Sequence, residues 1–131
     1  RLLAVMHDKG RTTALQHAPY SMVSYAWGFK FQQSNQWALE TLALAMESDA
    51  GGTRPQAQAW LQVNGYEPTT LKLGTLTRMG ARVGAANIAF DDHPADKRFS
   101  GQIDTVTVDS VLTWMQRTQL AAAPVRIVPK D

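Results

Sequence analysis

The stretch that decides the fold is Phe31-Gln32-Gln33-Ser34-Asn35-Gln36-Trp37-Ala38-Leu39-Glu40. An aromatic-rich segment ends here, and a strongly apolar helix begins at Ser34, a residue type that is typical of a helix N-cap. A side chain at this junction also lies beside the unpaired N–H groups at the positive end of the helix. Many enzymes place a nucleophile at such a position because it stabilises an anion. The junction has both interpretations, and on its own it favours the cap.

Two patterns flank this junction. Bulky residues alternate with small or polar ones from Val23 to Phe31, which predicts an extended segment with one buried face. From about Ser34 to Ser48 the pattern predicts a helix that is apolar over most of its surface and therefore central in the core. Its narrow polar stripe is interpreted as a solvated or loop-facing surface and consists of Gln36, Glu40 and Glu47.

The remaining elements complete an α+β order, with helices early and strands late. A first helix is expected to stop near Lys9-Gly10. The later predictions are a helix capped by Thr53 that ends at Asn64-Gly65, a strand Thr69–Leu73, a helix Thr75–Val83, strands Asn87–Phe90 and Ile103–Val108, and a last helix capped by Asp109. Residues 1–120 are predicted to form one domain and 121–131 a flexible tail. The predicted core contains Trp37, Leu39, Leu42, Trp60, Phe90 and Trp114.

Composition excludes several classes of function. The 131 residues carry a formal net charge of +2, with scattered basic residues and no nucleic-acid-binding stripe. There is no Cys, hence no disulfide and no cysteine zinc site. Phosphate-loop, dinucleotide, HExxH, GxSxG and SxxK motifs are absent from the sequence. No apolar run reaches the length of a membrane span, and the start does not resemble a signal peptide. We predict no cofactor and no metal.

The densest polar cluster is Asp91-Asp92-His93. Its functional interpretation is a carboxylate–imidazole pair, in which Asp92 orients His93 as a general base, or a hard-metal site. Its structural interpretation is a turn that Asp side chains stabilise and that Pro94 keeps extended, and composition favours the turn. His7 and His17 stand alone and are interpreted as surface or half-buried polar residues. Arg78 and Arg82 lie one helical turn apart, which is commonplace for surface Arg.

Several segments taken together resemble a known family. They are Tyr20-Ser21-Met22-Val23-Ser24-Tyr25, Gln33-Ser34-Asn35-Gln36-Trp37, Ala57-Gln58-Ala59-Trp60-Leu61, Gly65-Tyr66-Glu67-Pro68-Thr69, Phe90-Asp91-Asp92-His93-Pro94 and Thr105-Val106-Thr107-Val108-Asp109-Ser110. In this order they resemble the C-terminal half of the bacterial domain-of-unknown-function 2145 family, over about residues 1 to 120. That family has no established activity to carry over.

The pattern around Asn35-Gln36-Trp37 is also similar to the permuted papain-like hydrolases, which include lecithin:retinol acyltransferase relatives and bacterial cell-wall amidases. There the catalytic His comes from an early strand and a Cys nucleophile follows at the N-terminus of a buried helix. The resemblance implies an α+β fold that is the C-terminal part of a circularly permuted papain-like domain, with the central helix packed on a small antiparallel sheet. Because the chain opens at Arg1 without Met, we expect the N-terminal half of the domain to be missing.

The resemblance further implies a hydrolase or acyltransferase acting on amide or ester bonds of the cell envelope, in a periplasmic or secreted protein. Ser34 would be the nucleophile, and the N–H groups of Asn35 and Gln36 would lie near the oxyanion, helped by the Gln36 or Gln32 amide. The base would come from the missing half, or less favourably be His93 oriented by Asp92. The substrate would be a small molecule, lipid or peptide.

Two departures favour an alternative function. Ser34 stands where some relatives carry Cys, and a Ser hydroxyl needs a well-placed base, whereas a Cys thiolate is activated more easily. The early half that would carry the His is also expected to be missing from this chain. The alternative is therefore a catalytically inactive binding or structural module on the same fold.

Overall fold

The computed structural model describes residues 1–47, 52–74, 87–89 and 91–129. Within those ranges the chain forms six helices and one two-stranded sheet, which confirms the α+β class. The helices are α1 (Leu2–His7), α2 (Lys9–Ala14), α3 (Ser34–Met46), α4 (Arg54–Val63), α5 (Ala95–Phe99) and α6 (Val108–Arg117). The strands are β1 (Thr69–Lys72) and β2 (Gln102–Thr105).

The sheet is an antiparallel pair in which Thr69 faces Thr105 and Leu71 faces Ile103. Ile103 is buried with Val23, and the neighbouring Leu71 completes a small apolar cluster over the sheet. Helix α5 packs against β2, whereas α3 packs against α4 and α1. The sheet thus positions the segment around Val23, and the helices hold most of the core.

Aromatic rings fill the space between α4 and α6. Trp114 is almost fully buried, and the rings of Trp60 and Tyr66 meet it edge-on at centroid distances of 6.1 and 5.9 Å. Such edge-to-face pairs add about 0.5–1.5 kcal/mol beyond the area that they bury. The apolar face of α3 meets this cluster through Leu39 and Ala43.

Turn and cap chemistry explains where the helices begin and end. Thr53 caps α4 in a reciprocal capping box with Gln56, as its sequence position predicted. Gly65 follows α4 with φ +71°, a conformation that side-chain-bearing residues rarely adopt. The predicted cap of the last helix was wrong, because Thr107 and not Asp109 is the N-cap. Thr107 is the N-cap because its side chain accepts the N–H of Ser110, the third residue of the helix.

The segment Val23–Phe31 is not extended, contrary to the prediction. Backbone bonds from Ser24 N–H to Ser21 and from Gly28 N–H to Tyr25 close successive tight turns. Ser24, from the supposedly exposed side of the alternation, is fully buried because its hydroxyl donates to Gln36. Hydrogen bonds, and not the alternation of side-chain size, determine the path of this segment.

Two helix boundaries near the N-terminus also differ from the predictions. Lys9-Gly10 does not stop a helix but opens α2, because the Asp8 side chain caps it by accepting the Arg11 N–H. Helix α3 begins at Ser34 as predicted, but its N-cap is Gln33, whose side chain accepts the Asn35 N–H at 2.9 Å.

The predicted core is confirmed in part. Leu39 and Trp114 are buried, while Leu42 and Trp60 are half-buried against the same cluster. The prediction for Trp37 was wrong, since this ring is only half-buried: its Nε1 donates to the Thr12 carbonyl and its face lines an open cleft.

Some predictions fall wholly or partly outside the described residues. These are the helix Thr75–Val83, Phe90, and the Arg78–Arg82 pair. Residues 87–89 are described and do not form the predicted strand. The one-domain assignment of residues 1–120, with a flexible tail after it, stays a prediction.

The polar stripe of α3 is the largest departure from the sequence analysis. Gln36 and Glu40 are each 1% exposed, so two thirds of the predicted solvated stripe is buried. The Glu40 carboxylate accepts hydrogen bonds from Arg54 Nε at 2.9 Å, Gln32 Nε2 at 2.7 Å and Gln58 Nε2 at 2.8 Å. A buried charge is tolerated when it is paired and fully hydrogen-bonded, and this one is.

We predict that Glu40→Ala lowers the free energy of unfolding by about 3–5 kcal/mol, because it leaves the buried Arg54 guanidinium without its counter-charge. Urea denaturation followed by tryptophan fluorescence measures this. Glu47→Ala is the matched control, since Glu47 lies at the C-terminal end of the same helix and has no ion pair among the described residues. The control should change the stability by about 0.5 kcal/mol or less. Equal effects of the two variants would contradict the role of Glu40.

Burial raises the pKa of Tyr66 to about 12, against an ordinary value of 10.0. The folded state therefore holds the phenol proton more tightly, and this stabilisation is present below pH 10 and lost as the pH rises from 10 towards 12. Between pH 10 and 12 the free energy of unfolding of the natural chain should therefore fall. We predict that this fall is about 2–3 kcal/mol smaller in Tyr66→Phe, which has no phenol proton to lose. At pH 7 the same variant should cost about 1 kcal/mol, since it removes the hydrogen bond to Ser110. Parallel pH–stability curves would contradict the assignment.

Candidate functional site

Ser34 lies in the first turn of α3, exposed to solvent. It lines a cleft of about 490 Å³ together with Gln16, His17, Ala18, Tyr20, Gln32, Gln33 and Trp37. Among the described residues its hydroxyl has no hydrogen-bond partner. Ser34 is therefore not occupied as a helix cap, which was its ordinary interpretation, and is free to contact a ligand.

His17 lies in the same cleft, although the sequence analysis had set it aside. Its backbone N–H donates to Gln32 Oε1 at 2.8 Å, and its ring Nε2 lies 3.0 Å from the Lys30 carbonyl oxygen. A carbonyl oxygen only accepts, so Nε2 carries the proton of the neutral ring and Nδ1 keeps the lone pair. The 17-residue separation from Ser34 contains no sequence motif that could have indicated this pairing.

Three amides at or next to the cleft, those of Gln32, Gln33 and Gln36, are already engaged in the fold. Gln32 Nε2 donates to the Leu15 carbonyl and to Glu40, and Gln33 Nε2 donates to the Val106 carbonyl. Gln36 Nε2 lies 3.2 Å from the carbonyl oxygens of Tyr25 and Ala26. These amides make the floor of the cleft rigid.

Asn35 differs from the other predicted binding residues. Its N–H is engaged by the Gln33 side chain, at one of the positions expected to stabilise an oxyanion. Its side chain lines a second groove of about 270 Å³, which is otherwise formed by the apolar side chains of Leu2, Ala38, Leu39, Leu42, Val108, Val111, Leu112 and Met115. The structure thus places Ser34 and Asn35 in different grooves.

Asp92 and His93 form a closed site. Asp92 Oδ1 lies 3.0 Å from His93 Nδ1, and Asp92 Oδ2 accepts the Tyr25 N–H at 2.8 Å. The His93 ring is buried against the Tyr25 ring at a centroid distance of 5.1 Å. Within the described part of the chain Nε2 of His93 has no partner, and His93 lines none of the clefts described above.

Lys30 connects this region to the cleft. Its carbonyl receives His17, while its ammonium group pairs with Asp91 at the surface. The hydrogen bond from Lys30 lowers the pKa of Asp91. Asp91 is therefore an exposed ion-pair partner, whereas Asp92, its neighbour in sequence, is buried in the fold.

In the described ranges no three His, Asp or Glu side chains converge as a metal site would require. None of the described helices has the length and apolar content needed to cross a bilayer.

A model of a bacterial protein family matches residues 1–115 of this chain, and its description reads "Uncharacterized protein conserved in bacteria (DUF2145)". The chain belongs to the DUF2145 family. The match covers α1 to most of α6, so both the cleft and the Asp92–His93 pair belong to the family region. Searches of curated proteins and of solved structures each returned no match.

We predict that Asp92→Ala lowers the free energy of unfolding by about 1–3 kcal/mol, because the Tyr25 N–H and the His93 ring each lose a buried partner. Asp91→Ala is the matched control, since Asp91 is exposed and its pairing with Lys30 stabilises the fold little. Thermal melts of both variants measure the difference. A melting temperature of Asp92→Ala that is indistinguishable from that of the control would contradict the structural role of Asp92.

Proposed function

We propose that this chain is a ligand-binding module whose ligand occupies the cleft at the N-terminal end of α3 and is not turned over. The observation that carries this proposal is the engagement of the amides of Gln32, Gln33 and Gln36 in internal hydrogen bonds. Acyl transfer needs donors that are free to stabilise a developing oxyanion. Donors that already have buried acceptors would have to break those bonds, at a cost to the fold.

The same hydrogen bonds favour binding. A binding site works best when its walls hold their shape before the ligand arrives, because less conformational entropy is then lost. Gln32 reaches Leu15, His17 and Glu40 at once, so this wall of the cleft is tied to the core. The Ser34 hydroxyl and Nδ1 of His17, which belong to residues that line the cleft, have no partner among the described residues.

A second candidate function is that of an amide or ester hydrolase or acyltransferase of the cell envelope, on a papain-like fold. One observation favours it: Ser34 and His17 line one cleft, and the Lys30 carbonyl fixes the ring tautomer that leaves Nδ1 as a base. In this candidate His17 takes the role that the sequence analysis gave to His93 with Asp92, since that pair is buried. Ser34 Oγ would add to the carbonyl carbon and pass its proton to Nδ1, opening the C=O π bond to an oxyanion. Collapse of this intermediate would break the bond to the amine or alcohol, which would take the proton from Nδ1 as it leaves.

The experiment combines covalent labelling with ligand detection. A fluorophosphonate probe reports an activated Ser, and we expect no labelling of Ser34 above that of Ser100, an exposed Ser that serves as the internal control. A fragment library screened by ligand-observed NMR should give binders that Ser34→Trp abolishes, because the larger side chain fills the cleft, and that Ser100→Trp retains.

Two outcomes would contradict the binding proposal. Labelling that is lost in both Ser34→Ala and His17→Gln would replace it with the hydrolase candidate. Fragments that bind equally well to Ser34→Trp and to the natural chain would show that the cleft is not the site.

A further inference from the structure

The cleft of Ser34 continues on the other side of His17. A neighbouring cleft of about 390 Å³ is lined by Ala14, Gln16, His17, Phe29, Gly52, Thr53, Arg54 and Pro55. Gln16 and His17 line both clefts, so the two clefts adjoin at these residues, and we call them together the His17 groove. A groove of this form suits a chain-like ligand better than a compact one.

The backbone of one wall has an unpaired edge. Pro19 C=O accepts the Gln32 N–H, and His17 N–H donates to the Gln32 side chain, so residues 17 and 19 face Gln32. Tyr20 forms an isolated parallel bridge with Gln32, in which a residue flanking Tyr20 bonds Gln32, so the N–H and C=O groups of Tyr20 itself point away from Gln32. Ala18 lies at the bend just before this bridge. Both residues line the groove, and within the described part of the chain these backbone groups have no protein partner.

Such an edge is a template for another extended chain. Unpaired backbone groups on a strand edge bind peptides by main-chain hydrogen bonds, a recurring mode of peptide recognition. The segment bends at Ala18 and Pro19 lacks an N–H, so the edge is short and suits about two residues of a ligand. Further affinity must come from side-chain contacts on either side of it.

Apolar side chains provide those contacts at both ends of the groove. Trp37 and Tyr20 lie at the Ser34 end, and Tyr20 is 47% exposed. Phe29 and Pro55 lie at the other end, and Phe29 is 51% exposed. Aromatic rings that are held by a fold yet remain accessible are the usual anchors of binding surfaces.

The charge of the groove indicates an uncharged ligand. No carboxylate is among the described residues that line it. Arg54 does line it, but its guanidinium is bonded to Glu40 and to the carbonyls of Gly28, Phe29 and Phe31. A charged ligand side chain would find no free opposite charge there and would be desolvated without compensation.

We infer that the His17 groove binds an extended, uncharged peptide segment, which pairs through its main chain with Ala18 and Tyr20 and places apolar side chains against Trp37 and Phe29. This inference rests on the proposed binding function and names its ligand class. An oligosaccharide would also stack on the aromatic rings, but it offers no alternating amide groups to the open edge. The unpaired backbone edge therefore favours the peptide.

The test uses a pool of fluorescein-labelled, end-blocked octapeptides with Leu, Val or Phe at alternate positions and Ser, Thr or Gln between them. Fluorescence polarisation with the full chain should show saturable binding. N-methylation of alternate amides should weaken it by about tenfold or more, because it removes main-chain donors. Trp37→Ala and Phe29→Ala should each weaken octapeptide binding by about tenfold. Tetrapeptides that reach only the Trp37 end should be insensitive to Phe29→Ala.

Val63→Ala is the matched control, since Val63 is 87% exposed and lines none of the clefts described here. Circular dichroism melts confirm that each variant is folded before it is used. Binding of octapeptides that is unaffected by N-methylation, or that Val63→Ala weakens as much as Phe29→Ala does, would overturn the inference. Binding of a chitooligosaccharide and not of the peptides would overturn the peptide inference and keep the proposed binding function. A groove that binds neither ligand and no NMR fragment would overturn both.

Discussion

The structure depends on one buried carboxylate. Glu40 lies 1% exposed in the middle of α3, where it would be strongly unfavourable without partners. It has an opposite charge in Arg54 and amide donors in Gln32 and Gln58. Arg54 and Gln58 both lie on α4, so the carboxylate ties two helices together. A buried charge that has lost one of its partners destabilises the fold more than an apolar residue in its place would. We therefore expect the effects of substituting these residues to be coupled and not additive.

The position of the cleft follows from that carboxylate. The Gln32 amide group donates hydrogen bonds to Glu40 and to the Leu15 carbonyl. This orients the amide oxygen of Gln32 towards the His17 N–H. Arg54 holds three carbonyls of the turn at residues 28–31, and the Lys30 carbonyl in that turn receives the His17 ring. A carboxylate in the core is thus connected to an imidazole at the cleft through Gln32 on one side, and through Arg54 and the turn that contains Lys30 on the other.

The sequence predicted those parts of the fold that local chemistry determines. Thr53 and Pro55 indicated the start of α4, Asn64-Gly65 its end, and β1 was placed within a residue. The polar stripe of α3 could not be assigned in the same way. Its spacing shows that the polar residues share one face of a helix. Whether that face meets water or buried hydrogen-bond donors depends on Arg54 and Gln58, which lie on another helix. The alternation from Val23 to Phe31 misled for the same reason, since a Ser that bonds Gln36 is buried as readily as a Val.

The candidate site also shows that residues adjacent in sequence need not form the functional site. Asp91-Asp92-His93 attracted attention because reactive side chains are adjacent in sequence, yet Asp92 spends both carboxylate oxygens on the fold. Ser34 was indicated by its place at the start of a helix and His17 by no signal, and among the described residues both keep spare hydrogen-bonding capacity in an open cleft. A polar group that is completely bonded inside the protein has little left to offer a ligand. Candidate functional residues are therefore indicated by the donors and acceptors that the fold leaves without internal hydrogen bonds. The sequence does not show which these are, because the bonds form only when the chain folds.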